Sequence, residues 1–130
     1  MKVGKQKERE IIFNKYAGAC AYCGTELQKG WQADHLIPKR NFYAYVKSQY
    51  QIPDLVKHLT PVDVEHIDNK MPACASCNNY KSSHTLEGFR REIGLIVGRL
   101  NQFQPTYRLV KRFGLLEEKP IDVKFYFETL

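Results

Sequence analysis

Residues 74–78 read Cys-Ala-Ser-Cys-Asn, and residues 20–23 read Cys-Ala-Tyr-Cys. The spacing of each Cys-x-x-Cys motif lets two sulfurs reach one ion from a single tight turn. Two such turns form a closed site of the structural kind, which leaves no coordination position for water. The sequence therefore predicts one structural zinc ion, and the predicted ligands are Cys20, Cys23, Cys74 and Cys77.

The cysteines have two other interpretations. A single Cys-x-x-Cys motif is also typical of a redox dithiol, and four cysteines can simply be buried separately. Two copies of the motif, with none of the four cysteines left over, favour zinc over both alternatives. Gly24 directly follows the first motif and is the small residue that a tight metal loop needs.

The size and charge of the chain limit the class of protein. Its 130 residues fit one domain, residues 1–130, whose modest core would benefit from a metal. A net charge of +6 favours a polyanionic partner, although an ordinary basic protein has the same balance. Residues 1–10 contain no apolar signal core, and the longest apolar stretch, residues 93–98, is too short to cross a bilayer. We therefore expect a cytoplasmic protein without membrane contact, where thiols stay reduced.

Apolar periodicity and chain-breaking residues predict an α+β fold. The first part of the chain is predicted to contain a helix at 5–17, a strand at 31–37, a short helix at 54–59, a strand at 69–73 and a helix at 78–83. In a regular strand, the neighbouring side chains of Asp34 and His35 leave opposite faces.

The second part of the chain is predicted to be mainly helical. Thr85 is the N-cap of a long helix whose apolar stripe, Leu86 to Leu100, is expected to be core. Another helix begins at Pro105 and ends at Gly114. Its side chains expected to face inward are Leu109, Val110 and Phe113. The alternation of apolar and polar residues predicts a half-buried strand over 121–127.

The Asp34-His35 pair lies between the two cysteine motifs. Hydrolysis of a phosphodiester needs a base that takes a proton from water and a cation that neutralises charge on the phosphate. His35 can supply the base, and Asp34 can bind the cation. Asn78 can add a neutral oxygen ligand, held in place by Cys77 beside it. Oxygen ligands suit Mg²⁺ or Mn²⁺.

The motifs occur in a specific order: Cys-x-x-Cys from residue 20, Asp-His-x-x-Pro from residue 34, and Asn-x-x-Pro-x-Cys-x-x-Cys-Asn-x-x-Lys from residue 69. This order resembles that of the zinc-containing HNH endonucleases of the ββα-metal fold. The resemblance implies a ββα-metal hairpin and helix with a treble-clef-like zinc site in a motif core at 20–83. The extension at 84–130 would add the C-terminal helices and strand.

The resemblance also implies residue roles. His35 would be the general base, and Asp34 and Asn78 would hold the catalytic cation. Asn69 would hold the hairpin loop and orient the backbone near His35 without touching the metal. Members of this family leave 5′-phosphate and 3′-hydroxyl ends.

The connection between the two motif strands is longer than in compact members, so residues 39–68 are interpreted as an insertion. Within it, His66 and Asp68 compete for roles near the metal. Residues 39–47 mix cations with aromatic rings, which is typical either of a nucleic-acid grip or of a small satellite core.

Three cations are candidate nucleic-acid contacts: Lys39, Arg40 and Lys81. The alternative for Lys81 is a solvated lysine. Further cations on the later helices, from Arg90 to Arg112, form either a phosphate-positioning surface or an ordinary solvated face.

The sequence thus predicts a metal-dependent HNH endonuclease that cleaves nucleic acid, most simply double-stranded DNA, in a phage or mobile-element type of setting. One alternative is a non-catalytic zinc-knuckle module that binds nucleic acid or protein. Another is a phosphodiesterase acting on RNA. A protein partner or a homodimer is compatible with the sequence, and low sequence specificity is expected because no separate specificity domain is evident.

Overall fold

The computed structural model describes residues 4–130, and the first three residues of the N-terminal stretch considered above lie outside it. The fold is α+β, as predicted. Its helices and strands are α1 (Lys5–Asn14), β1 (Gln32–His35), α2 (Phe42–Ser48), β2 (Lys70–Ala73), α3 (Ala75–Lys81), α4 (Leu86–Phe103) and α5 (Pro105–Arg112). Short 3₁₀ helices occur at Asp54–Val56, Ile67–Asn69 and Tyr126–Thr129.

Strands β1 and β2 form an antiparallel two-stranded sheet, which confirms both strand predictions in this part of the chain. Asp34 lies opposite Met71, and His35 lies opposite Lys70. The side chains alternate as expected: Asp34 is buried, whereas His35 is partly exposed. Helix α3 begins directly after β2, so strand, long connection, strand and helix follow one another in the order ββα.

The long connection contains a helix that the sequence did not indicate. In α2, Phe42 and Val46 are one turn apart and are both buried, so this short helix is held by packing. The short helix expected at 54–59 is a single 3₁₀ turn, Asp54–Val56.

Two predictions at the later helices differ in outcome. The predicted start of α3 at Asn78 was wrong: the helix begins at Ala75, because the Cys74 sulfur accepts the Cys77 N–H as an N-cap. The start of α4 was right, since the Thr85 hydroxyl accepts the Gly88 N–H at 3.1 Å.

The apolar stripe of α4 is core only at its beginning. Leu86 and Phe89 are buried, but Val97 is 41% exposed. The inward orientation predicted for α5 is wrong for Leu109, which is 43% exposed, and for Phe113, which is 73% exposed, whereas Val110 is half-buried. Apolar periodicity identified the helices. It could not show that their later turns lie beyond the core, where no other part of the described chain buries their apolar side chains.

The strand predicted at 121–127 is wrong. An irregular segment there ends in the 3₁₀ helix Tyr126–Thr129, and only Phe125 is fully buried. Its backbone instead bonds to the first cysteine motif: the Tyr126 N–H donates to the Tyr22 carbonyl, and the Phe127 N–H donates to the Ala21 carbonyl, both at 2.9 Å. A strand needs a neighbouring strand that pairs with it along its length. This segment has only the two bonds to the first cysteine motif in place of such a strand.

Candidate functional site

The four cysteines form one cluster. Their sulfur atoms all lie within 4.8 Å of one another, and the Cys23 and Cys74 sulfurs are 3.8 Å apart. Four sulfurs around one zinc ion, each at about 2.3 Å, would be roughly 3.8 Å apart. The cluster therefore has the donor set and the dimensions to hold a metal ion such as zinc. It is the only such group of cysteine, histidine and carboxylate ligands within residues 4–130.

The first Cys-x-x-Cys motif, Cys20 to Cys23, is here called the first knuckle, and the second, Cys74 to Cys77, the second knuckle. The first knuckle is a tight turn on a small hairpin. The Cys20 N–H donates to the Thr25 carbonyl at 2.8 Å, and the Gly24 N–H donates back to the Cys20 carbonyl at 3.0 Å. Gly24 has φ +77°, and a Cβ there would lie 2.8 Å from the Tyr126 ring. Both the backbone conformation and the close ring explain the glycine.

The second knuckle contributes N–H groups to the sulfurs. The Cys74 N–H donates to the Cys20 sulfur at 3.3 Å, and the Cys77 N–H donates to the Cys74 sulfur at 3.4 Å. The Cys77 thiol, as a hydrogen-bond donor, lowers the pKa of Cys20 to about 4, although burial opposes this. The same contact raises the pKa of Cys77. Negative charge is thus favoured on the Cys20 sulfur, whereas burial also raises the pKa of Cys23, so binding of a metal ion would release protons from the other thiols.

A cavity of about 320 Å³ is lined in part by Asn78 of α3, the residue that follows Cys77 of the cluster. The candidate base, His35, and the two candidate cation ligands, Asp34 and Asn78, line it, whereas Asn69 does not. Two candidate nucleic-acid contacts, Lys39 and Arg40, line it as well. The fold therefore brings together residues from β1, from the start of the insertion and from α3.

Asp34 is the acceptor in a buried network. Its Oδ2 atom accepts the Tyr22 hydroxyl at 2.5 Å and lies 3.1 Å from the Lys81 ammonium. Burial raises the pKa of Asp34, while the charge of Lys81 and the Tyr22 hydrogen bond oppose the rise. Both donors act on one oxygen, which leaves Oδ1 for another ligand.

The position of Lys81 contradicts its predicted phosphate contact and also the alternative of a solvated lysine. Its side chain is 0% exposed, and its ammonium donates to the His35 carbonyl at 2.9 Å in addition to pairing with Asp34. Burial lowers the pKa of Lys81, and Asp34 opposes this. Lys81 instead connects α3 to β1 through these two contacts.

His35 contacts a residue that the sequence did not single out. Its Nε2 atom lies 3.0 Å from Glu65 Oε1. Glu65 is itself held near Lys70, at 3.3 Å, and near Lys39, at 3.8 Å. The sequence contained no signal for this contact, because Glu65 lies 30 residues away in the irregular part of the insertion.

Asn69 is fully buried and holds the chain after β1. Its Oδ1 accepts the Ile37 N–H at 2.8 Å, and its Nδ2 donates to the Ile37 carbonyl at 3.1 Å. The Leu36 N–H also donates to the Asn69 carbonyl. These bonds fix the backbone next to His35, which is the arrangement expected of a loop-holding residue.

The competing pair, His66 and Asp68, lies in a separate exposed cluster. Asp68 Oδ2 is 2.8 Å from His58 Nε2, and the Asp68 N–H donates to His66 Nδ1. Neither residue lines the cavities of about 320 and 720 Å³, both of which His35 lines.

Residues 39–47, which mix cations with aromatic rings, match one interpretation on their inner side and the other on their outer side. The inner side chains of α2 are core, and Tyr45 stacks on Tyr50 with ring centroids 5.9 Å apart. Tyr43 is 59% exposed, and the Lys47 ammonium lies 5.6 Å from its ring. The inner side is thus a satellite core, and only the outer side is open to a partner.

Several cations of the later helices are already engaged. Arg90 pairs with Glu87 and Glu128, and Arg99 pairs with Glu92. Such pairing reduces the positive potential that this surface can offer to phosphate.

Comparisons with protein-family models, curated proteins and solved structures found no match to this chain. Along residues 4–130, no helix has both the length and the apolar character needed to cross a membrane.

Proposed function

We propose that this chain is a metal-dependent endonuclease of the HNH class that acts on nucleic acid, with DNA as the first substrate to test. The observation that supports this most is the cavity where Asp34, His35 and Asn78 meet beside a four-cysteine cluster. A binding module needs the cysteines but has no use for these three side chains in one cavity.

The order of elements supports the same class. A cysteine knuckle, an antiparallel strand pair and a helix whose N-cap is a third cysteine are the parts expected of a ββα-metal fold with a treble-clef-like zinc site. In this proposal zinc is structural, and it fixes the start of α3 against the first knuckle. Asn78 is thereby placed next to a rigid turn.

His35 takes the proton from the attacking water. Its Nε2 faces Glu65, so Nδ1 is the nitrogen available as a base when Nε2 carries the proton. Lys81 donates to the carbonyl of this histidine, and Asn69 holds the backbone of Leu36 and Ile37, the two residues that follow it. A base must be rigid to act at a fixed distance from the phosphate.

Asp34 and Asn78 would hold Mg²⁺ or Mn²⁺. A divalent cation bound there supplies charge neutralisation for the scissile phosphate and the leaving oxygen. Asp34 would use Oδ1, because Tyr22 and Lys81 already occupy Oδ2. Lys39 and Arg40 line the same cavity and would position the phosphate backbone.

The experiment is cleavage of supercoiled plasmid by the zinc-loaded protein with Mg²⁺ or Mn²⁺. The variant is His35→Ala, and the matched control is His84→Ala, which changes an exposed histidine outside the cavity. Cleavage that is lost only in His35→Ala supports the proposal. Because a closed circle has no ends, its cleavage also distinguishes an endonuclease from an exonuclease.

One observation favours the alternative, a non-catalytic zinc-knuckle module. Asp34 is already compensated by Lys81 and Tyr22, so its charge does not require a cation. Direct titration with Mn²⁺, followed by electron paramagnetic resonance, separates the two functions. The endonuclease binds Mn²⁺ in an Asn78-dependent manner, and the binding module does not.

A further inference from the structure

Two cavities meet at His35. The cavity of about 320 Å³ lies on the side of Lys39 and Arg40. A larger one, of about 720 Å³, lies on the side of α1. Ala33 and His35 line both, so the candidate base stands at the junction of two depressions.

The larger cavity has cations from α1 on its rim. Lys5 and Arg9 line it and are exposed. The Arg9 guanidinium is oriented by Trp31: it lies 3.8 Å from the centroid of that ring and donates to the Trp31 carbonyl at 2.7 Å. A guanidinium held in this way loses little freedom when it binds phosphate.

The carboxylates of the same cavity are tied to other groups. Glu8 forms an ion pair with Lys70, and Glu65 contacts both Lys70 and His35. The two carboxylates therefore repel a polyanion less. Lys70 pairs with both of them, so its charge is not available to phosphate. The cations left to meet phosphate on this side are those of the α1 rim.

We infer that α1 forms the second half of a nucleic-acid track, so that one strand crosses β1 at His35 between Lys39–Arg40 on one side and Lys5–Arg9 on the other. This inference rests on the proposed function and extends it. An enzyme that cuts inside a chain must hold the backbone on both sides of the scissile phosphate, and two basic depressions flanking one base meet this requirement.

The test is the salt dependence of DNA binding without divalent cations, in a His35→Ala background that cannot cleave. Fluorescence anisotropy of a labelled duplex is measured over a series of KCl concentrations. The variant is Lys5→Gln with Arg9→Gln, and the matched control is Lys119→Gln with Lys124→Gln, two exposed lysines remote in sequence from α1. Zinc content and circular dichroism verify that all proteins are folded.

Each phosphate contact contributes about 0.9 to the slope of log K against log salt concentration. The α1 variant should therefore lower the slope by about 1.8, the control should leave it unchanged, and Lys5→Gln alone should lower it by about 0.9. Equal slopes for the α1 variant and its parent, with normal binding by the parent, would overturn the inference and leave the proposed function standing. Absence of DNA binding by the folded parent would overturn both.

Discussion

Replacing Lys81 with methionine removes a charge from the interior while keeping most of the side-chain volume. Lys81 is fully enclosed, and its ammonium lies 3.1 Å from Asp34 Oδ2. Methionine can fill the channel of the aliphatic chain but offers no donor. Asp34 would then remain buried with the Tyr22 hydroxyl as its remaining donor to Oδ2.

The expected loss of unfolding free energy is large. Breaking a buried ion pair by removing one partner costs about 3–5 kcal/mol, because the other charge stays uncompensated. The Tyr22 hydrogen bond retains part of the stabilisation, so we expect a value near the lower limit, about 3 kcal/mol. Lys81→Met combined with Asp34→Asn removes both charges and should recover most of this loss.

The penalty should also depend on pH. Burial already raises the pKa of Asp34, and Lys81 is the first group that opposes the rise. Without Lys81, the folded protein binds a proton more readily than the unfolded chain does. Stability of the variant relative to wild type should therefore fall as pH rises from the folded-state pKa of Asp34 in the wild type to its higher folded-state pKa in the variant, and should recover as pH is lowered.

Urea unfolding of zinc-loaded protein measures these differences. The matched control is Lys57→Met, which breaks an exposed, solvent-screened pair with Asp54 and should change stability far less than Lys81→Met does. The reasoning is refuted if Lys81→Met is as stable as Lys57→Met, or if adding Asp34→Asn makes the protein less stable still.

Three further predictions concern the cysteine cluster, the aromatic core and the contact between Glu65 and His35. Chelation of zinc should abolish cooperative unfolding, because structural zinc contributes about 10–16 kcal/mol whereas domains of this size are stable by about 5–15 kcal/mol; calorimetry and metal analysis, with one zinc expected per chain, would show this. Phe125→Ala should cost about 3–5 kcal/mol in denaturant unfolding, whereas Phe113→Ala, at an exposed ring, should cost less than about 0.5 kcal/mol; similar losses would contradict the assigned core. If Glu65 positions His35, Glu65→Ala should lower kcat on the order of tenfold with little change in KM, and Glu65→Gln, which keeps an acceptor, should retain most activity; equal kcat in all three proteins would remove this role.

The parts of the site that the sequence predicted are those with local signals. Each cysteine pair is defined within four residues, and the tight turn that follows needs only Gly24. The strands flanking the insertion were also found, because their short apolar runs end at recognisable breakers. With these fixed, Asp34, His35 and Asn78 could be expected in one place, and the cavity contains all three.

The parts that the sequence missed depend on distant partners. From the sequence, Lys81, one turn after Asn78, is expected to contact phosphate or solvent. Only the fold shows that it is buried and paired with Asp34. The alternation of apolar and polar residues at 121–127 predicts a strand. In the structure, the N–H groups of Tyr126 and Phe127 bond to carbonyls of the first knuckle and not to the edge of a strand. The helices α4 and α5 have apolar periodicity, but periodicity does not reveal whether another element covers the stripe.

The bonds from Tyr126 and Phe127 to the first knuckle have a consequence for the order of events during synthesis. The last cysteine of the cluster, Cys77, leaves the ribosome roughly 50 residues before these two residues do. At about 5–20 residues per second, this interval is roughly 3–10 s. A nascent chain therefore presents all four cysteines while the segment that will bond to Ala21 and Tyr22 is still being made. A metal ion that binds the four cysteines would therefore be bound before this segment packs, and in a chain made without the metal the segment would meet a first Cys-x-x-Cys turn that no ion holds in place.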